Sequence, residues 1–151
     1  MKSGTRSGSR WGIKGVEDLG NGYSVGFILE QGFNSDDGSV GNKWKDKKGE
    51  EVSGAFNRES KLYVQGDFGQ IGFGRLGSLA GGAQSNNMLT GWALGTSYDA
   101  GSWTNFAKGN GRLNNAVAYV SPEFAGFKLS AMYSNGTNED DAKWSDNIHY
   151  Y

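Results

Sequence analysis

In 151 residues, 15 Lys and Arg stand against 16 Asp and Glu, a net charge of −1 that offers nucleic acid no basic surplus. Cysteine is absent, which excludes disulfides and Cys-ligated zinc or iron–sulfur sites, and a single histidine, His149, leaves almost nothing for His-based metal sites, so neither a metal nor a cofactor is expected. Glycine, at 26 residues, is too frequent for a mostly helical protein, while 8 Phe, 7 Tyr and 5 Trp separate the chain from Gly-rich disordered sequence.

The first residues, Met1 to Ser7, carry charge but no apolar stretch follows them, so no secretory signal peptide is read. Either the protein stays in the cytoplasm or the start of the chain is missing. Ser9-Arg10-Trp11-Gly12-Ile13-Lys14-Gly15 alternates, with Trp11 and Ile13 on one face and Arg10, Gly12 and Lys14 on the other. The Asn21-Gly22 step predicts a tight turn. Tyr23, Val25, Phe27 and Leu29 then share a face opposite Ser24, Gly26, Ile28 and Glu30, which completes a hairpin. From Gln31 to about Phe56 the chain is polar and charged without periodicity, as expected of a long solvated loop.

A second hairpin places Leu62 and Val64 opposite Glu59, Lys61, Tyr63 and Gln65, turns at Gly66-Asp67-Phe68-Gly69 and resumes its apolar face at Ile71 and Phe73. Gly77 to Gly111 is rich in Gly, Ser, Asn and Trp, has Asp99 as its only acid, and is long enough to be functional or disordered. A third hairpin pairs Val117 and Tyr119 with Phe127, Leu129, Ala131 and Tyr133 through Ser121-Pro122-Glu123-Phe124-Ala125-Gly126. Its other face carries Ala116 and Ala118, then Lys128, Ser130, Met132 and Ser134. Polar residues from Asn135 to Asn147 lead into Ile148-His149-Tyr150-Tyr151, which reads as the start of a further strand.

No apolar run approaches the ~20 residues of a membrane-spanning helix, so any membrane contact is made by strands. Short turns at one end and long charged connections at the other are the polarity of an outer-membrane barrel. Alternation alone also fits a soluble antiparallel sandwich with one core face. In that alternative Trp92 and Trp103 would stack on sugar rings, making the protein a glycan-binding module. An enzyme is not expected, because the sequence offers no paired carboxylates on a defined scaffold and no Ser–His–Asp set. Asn34-Ser35-Asp36-Asp37-Gly38 and Glu139-Asp140-Asp141 miss the ligand spacing of a calcium loop and read as solvated loops.

The segment Ser9-Arg10-Trp11-Gly12-Ile13-Lys14-Gly15-Val16-Glu17-Asp18-Leu19-Gly20-Asn21-Gly22 resembles the SRxGxKGxEDLGxG stretch of Gram-negative trimeric general porins of the beta-proteobacterial and neisserial type. Three further stretches are similar in order. They are Phe56-Asn57-Arg58 through Gly66-Asp67-Phe68-Gly69, then Gly72-Phe73-Gly74-Arg75, then Asn114-Asn115-Ala116-Val117-Ala118-Tyr119 with Ser121-Pro122-Glu123-Phe124-Ala125-Gly126-Phe127. Lys61 departs from the pattern, standing where an aromatic is usual.

The resemblance implies an all-β fold: a transmembrane antiparallel β-barrel, sixteen-stranded in the family, of which about seven strands are present here. It further implies a homotrimer in the cell outer membrane, in contact with outer-membrane lipid, that passes small hydrophilic solutes; a preference for anions is expected from the charge balance, one acid in the loop against several basic wall residues. On that mapping the chain is a partial one, running from the second strand to the first residues of the eighth without the first strand or the signal peptide, and residues 77–112 form an inward-folded constriction loop. Arg10, Arg75 and Arg112 match wall arginines of the constriction, facing Asp99. Lys14, Lys61, Lys108, Lys128 and Glu59 are further pore-lining candidates. Arg75 has the parity of Ile71 and Phe73, the lipid side, where an Arg at mid-bilayer costs ~2–4 kcal/mol. A bulge or strand end at Gly72 to Gly74 is therefore expected to turn it inward.

Overall fold

The computed structural model describes residues 8–41, 43–45, 48–79, 112–136 and 149–150. Their main feature is a seven-stranded sheet of β1 (Ser9–Gly20), β2 (Tyr23–Phe33), β5 (Glu59–Gly66), β6 (Gly69–Gly77), β7 (Arg112–Val120), β8 (Ser130–Asn135) and β9 (His149–Tyr150), in that spatial order. Each strand pairs antiparallel with the next, so the sheet follows the chain up and down without crossover. Between β2 and β5, β3 (Trp44–Lys45) and β4 (Glu51–Val52) form a separate two-stranded ladder.

Short turns join the sheet at one end. At Asn21-Gly22 both central residues are left-handed, φ 52° and 80°, the turn whose twist suits a hairpin. β5 and β6 are joined by Asp67 and Phe68, with Gly66 paired to Gly69. Between β7 and β8 the pairing is interrupted and then resumes in a Phe124↔Phe127 bridge around Ala125 and Gly126, φ 49° and 83°. The strand expected from Phe127 begins at Ser130, because the Pro122-Glu123 segment breaks the ladder opposite Lys128. Ser121 and Leu129 still bond there, Ser121 N–H donating to Leu129 O at 2.9 Å and Leu129 N–H to Ser121 Oγ at 2.9 Å.

The loop expected from Gln31 is shorter than the polarity of the sequence implies. β2 runs on to Phe33, because Gly32 and Phe33 still find partners in Arg10 and Ser9 of β1. Val40 then bridges back to Phe33, and β3 and β4 occupy part of the rest.

The two faces of the sheet are sorted in the opposite sense to a soluble protein. Trp11, Ile13, Phe27, Leu62, Phe73 and Val117 share the phase assigned to lipid and are exposed, Trp11 at 53% and Leu62 at 53%. The buried apolar residues on the other face are small or few: Ala116 at 2%, Ala118 and Met132, with Leu76 and Leu113. Beside them Lys61, at 4% exposure, and Glu59 and Arg58 are also buried.

Candidate functional site

The charged face is built on alternation in β1, β2 and β5. Arg10 pairs across from Gly32, and Gly12 from Glu30, so Arg10, Gly12, Glu30 and Gly32 lie side by side. Glu30 pairs in turn with Glu59, and Ile28 with Lys61. Lys14 lies further along β1 in the same phase and is exposed. Lys61 lies flat along the sheet, its Cε over Gly72, where a Cβ would stand 2.8 Å away. Its Nζ donates to Gln70 Oε1 at 2.9 Å and sits 5.3 Å from the centre of the Tyr63 ring. Both contacts hold an ammonium with little of the water it would otherwise keep. The aromatic usual at this position is thus replaced by a lysine lying beside one.

Arg75 and Arg112 reach the same region by a route that alternation does not describe. Gly74 has φ 121° and its Cβ, were there one, would overlap the Ser60 carbonyl oxygen, so only glycine serves here. Across β6 and β7, Gly74 pairs with Ala116 but Leu76 pairs with Leu113, so Arg75 opposes both Asn114 and Asn115. This is a β-bulge with Asn115 left-handed at φ 50°. An irregularity was expected at Gly72 to Gly74 of β6; the extra residue instead belongs to β7, while the β5 side of β6 stays in register through Ser60↔Arg75. The bulge also shifts the phase between Arg112 and Ala116, so parity along β7 does not tell which way Arg112 faces.

Side-chain contacts define where both arginines go. Arg75 Nε donates to Asn57 O at 2.8 Å and its Nη1 to Asn114 Oδ1. Arg112 Nε donates to Arg58 O at 3.0 Å. Arg58 Nε in turn lies 2.6 Å from Glu30 Oε1 in an ion pair with little exposure to water. Arg112 is within electrostatic range of Arg58, Glu30, Arg10 and Glu59, and Arg75 of Arg112. Arg10 Nε donates to Gly8 O at 3.2 Å. The result is one cluster in which the guanidiniums of Arg10, Arg58, Arg75 and Arg112 stand with the carboxylates of Glu30 and Glu59.

Of the residues singled out in the sequence, Arg10, Arg75, Arg112 and Glu59 are brought together. Lys14 and Lys61 line the same face at a distance along the strands. Lys128 is exposed, in the connection between β7 and β8 near the short-turn end. Asp99 and Lys108, like most of 77–112 and the tryptophans Trp92 and Trp103, lie outside the described residues. Sequence reasoning missed Arg58, Asn57 and Asn114 as members of the site. Arg58 precedes β5 and has no phase of its own; only the Glu30↔Glu59 register, which places it beside Glu30, would have found it.

The long connection has its own order. In Asn34 to Ser39 the carboxylate of Asp37 accepts from the Ser39 amide at 2.8 Å and the Ser39 hydroxyl at 2.7 Å, and these bonds hold the Asp37 carboxyl below its ordinary value. The Asp-Asp-Gly stretch is therefore a turn closed on itself, with Asn34 N–H donating to Ser39 O at 2.8 Å. Among the described residues no three His, Asp or Glu are placed to hold a metal ion.

Comparison with known proteins agrees with the architecture. Residues 1–149 match the family model for Gram-negative porins. An outer membrane porin protein of Bordetella pertussis is 33% identical over 143 residues, covering 94% of this chain and 34% of the relative. Outer membrane porin protein 32 of Delftia acidovorans is 33% identical over 138 residues, 85% of this chain and 34% of the relative. Major outer membrane protein P.IB of Neisseria gonorrhoeae is 33% identical over 132 residues, 87% of this chain and 33% of the relative. The chain thus spans about a third of the length of these relatives. Among solved structures, an anion-selective porin from Comamonas acidovorans superposes with a TM-score of 0.56 at 30% identity, covering 85% of this chain and 36% of that one. The soluble sandwich is set aside, since a sandwich buries the face that carries Trp11, Phe27 and Leu62, and here that face is exposed. An antiparallel sheet with aromatics outward, charges on the opposite face and a family match along nearly its whole length leads to one conclusion: the chain belongs to the Gram-negative porin family.

Proposed function

We propose that this sheet is part of the wall of an outer-membrane channel through which small hydrophilic solutes diffuse passively, with anions preferred. The observation that carries the reading is the inverted sorting of the faces: large apolar side chains outward, and a cluster of four guanidiniums against two carboxylates on the other side. Lipid is the solvent suited to the first face and water to the second. In a narrow aqueous passage with low-dielectric walls, such a surplus of fixed positive charge raises the local concentration of anions.

In this reading Arg10, Arg75 and Arg112 form the basic side of the constriction, with Asp99 opposite on the inward-folded loop of residues 77–112. Lys14, Lys61, Lys108 and Lys128 line the path on either side of it, and Glu59 lines it within the arginine cluster. The protein acts as a homotrimer, binds outer-membrane lipid and performs no catalysis. Support comes from the likeness to the porin of Comamonas acidovorans, which is described as anion-selective.

The test is the reversal potential, in planar bilayers under a salt gradient, of the complete channel whose wall contains this sheet. A potential of the sign set by anion flux is expected, moving toward zero when Arg75 and Arg112 are replaced by Gln. A cation-selective channel, or no channel, would overturn the proposal.

A further inference from the structure

We infer that Asn57 is the positioning residue of the arginine cluster, a single buried amide that sets where the guanidiniums of Arg75 and Arg112 point and so tunes the selectivity of the passage. The inference rests on the reading of that cluster as the constriction. Asn57 is 1% exposed although it precedes β5 at the end of the long connection from β2. Both ends of its amide are used. Oδ1 accepts from the Gly32 N–H of β2 at 2.8 Å, and Nδ2 donates to the Gly41 carbonyl of the connection. The main chain that follows is also fixed, since Arg58 N–H donates to Glu30 O at 3.0 Å.

Two successive carbonyls held in this way receive the two arginines. Asn57 O accepts Arg75 Nε from β6, and Arg58 O accepts Arg112 Nε from β7. In each case Nε is the anchored atom. Because a guanidinium is planar, a fixed Nε–H direction fixes the plane and therefore the side to which the η nitrogens are presented. β2, its connection, β5, β6 and β7 thus meet at two adjacent residues. Asparagine suits the position because it is the shortest side chain with one donor and one acceptor end. Aspartate would lose the donor to Gly41 and place another carboxylate among the arginines. With the amide removed, residue 57 loses its ties to Gly32 and Gly41, the peptide that carries its carbonyl is held by the Arg58 N–H to Glu30 O bond without them, and both carbonyls place their guanidiniums less firmly.

The experiment compares Asn57→Ala, Arg75→Gln and the double variant in planar bilayers, reading single-channel conductance and reversal potential. Asn57→Ala retains every charge, yet its anion-to-cation permeability ratio is expected to fall by about twofold, with noisier open-channel current. The double variant is expected to lose more selectivity than Arg75→Gln alone, through the displaced Arg112, but less than the sum of the two effects, because the part of the Asn57 effect that acts through Arg75 is already gone. Asn57→Ser, which keeps one hydrogen bond, is expected to fall between parent and Asn57→Ala, and carries the test if Asn57→Ala does not fold. A lowered melting temperature with parental conductance and selectivity would overturn the inference, as would strict additivity with Arg75→Gln. If Arg75→Gln and Arg112→Gln leave selectivity at the parental value, the constriction reading fails, and the positioning role with it.

Discussion

Glu30 and Arg58 show how a charge pair can be invisible in the sequence and central in the fold. They are separated by the whole connection between β2 and β5, yet their side chains meet at 2.6 Å because the ladder sets Glu30 opposite Glu59. Arg10 and Lys14 were legible, since regular alternation in β1 places both on the face away from Trp11 and Ile13. Arg75 and Arg112 were legible as members of the site only through family resemblance, because the bulge in β7 breaks the phase on which a reading by alternation depends. Glu30 also tempers the positive field of the cluster. Glu30→Gln keeps the shape of the side chain and removes its charge, so the permeability ratio is expected to move further toward anions. The same change leaves Arg58 with a neutral acceptor in a poorly hydrated place, and stability is expected to fall by about 1–2 kcal/mol. Reversal potentials and urea unfolding in lipid vesicles measure the two effects separately. An unchanged ratio would mean that Glu30 does not face the passage.

At the scale of elements, turns with a recognisable chemistry were found from sequence and those without it were not. Asn21-Gly22 announces its own geometry, and both residues adopt the left-handed conformation. Ala125-Gly126 makes a turn of the same kind between β7 and β8, but alanine gives no such signal and its φ of 49° is unfavourable for a side chain with no local hydrogen bond to offer. Ala125→Asn is therefore expected to stabilise the hairpin by about 0.5–1 kcal/mol, since asparagine tolerates this conformation. Thermal unfolding of the protein in detergent checks it, with a higher midpoint expected and no change in conductance, because the turn lies at the end of the sheet away from the arginine cluster. The extension of β2 to Phe33 and the short β3 and β4 ladder escaped the sequence for a related reason. Their residues mix apolar and polar in stretches too short to set a period, and what makes them strands is a partner across the ladder rather than a pattern along the chain.

For the molecule as a whole, the informative feature is which side of the sheet is wet. A soluble sheet that left Trp11, Ile13, Phe27, Leu62 and Phe73 exposed would present a broad apolar surface prone to association. In a bilayer the same surface is at rest, and the small and charged residues of the opposite face border water instead. Ile13 and Lys14 make the sharpest comparison, being adjacent in β1, both exposed, and on opposite faces. Leu62 and Gln65 of β5, three positions apart, are likewise both exposed and on opposite faces. The chain has no cysteine, so single substitutions report without background. The decisive measurement is labelling of Ile13→Cys, Lys14→Cys, Leu62→Cys and Gln65→Cys by a charged, membrane-impermeant thiol reagent, with the protein reconstituted in lipid bilayers. Lys14→Cys and Gln65→Cys are expected to react at the rate of a water-exposed thiol while Ile13→Cys and Leu62→Cys stay protected until detergent removes the lipid; equal labelling of all four in the bilayer would contradict a sheet with one face in lipid and the other lining a channel.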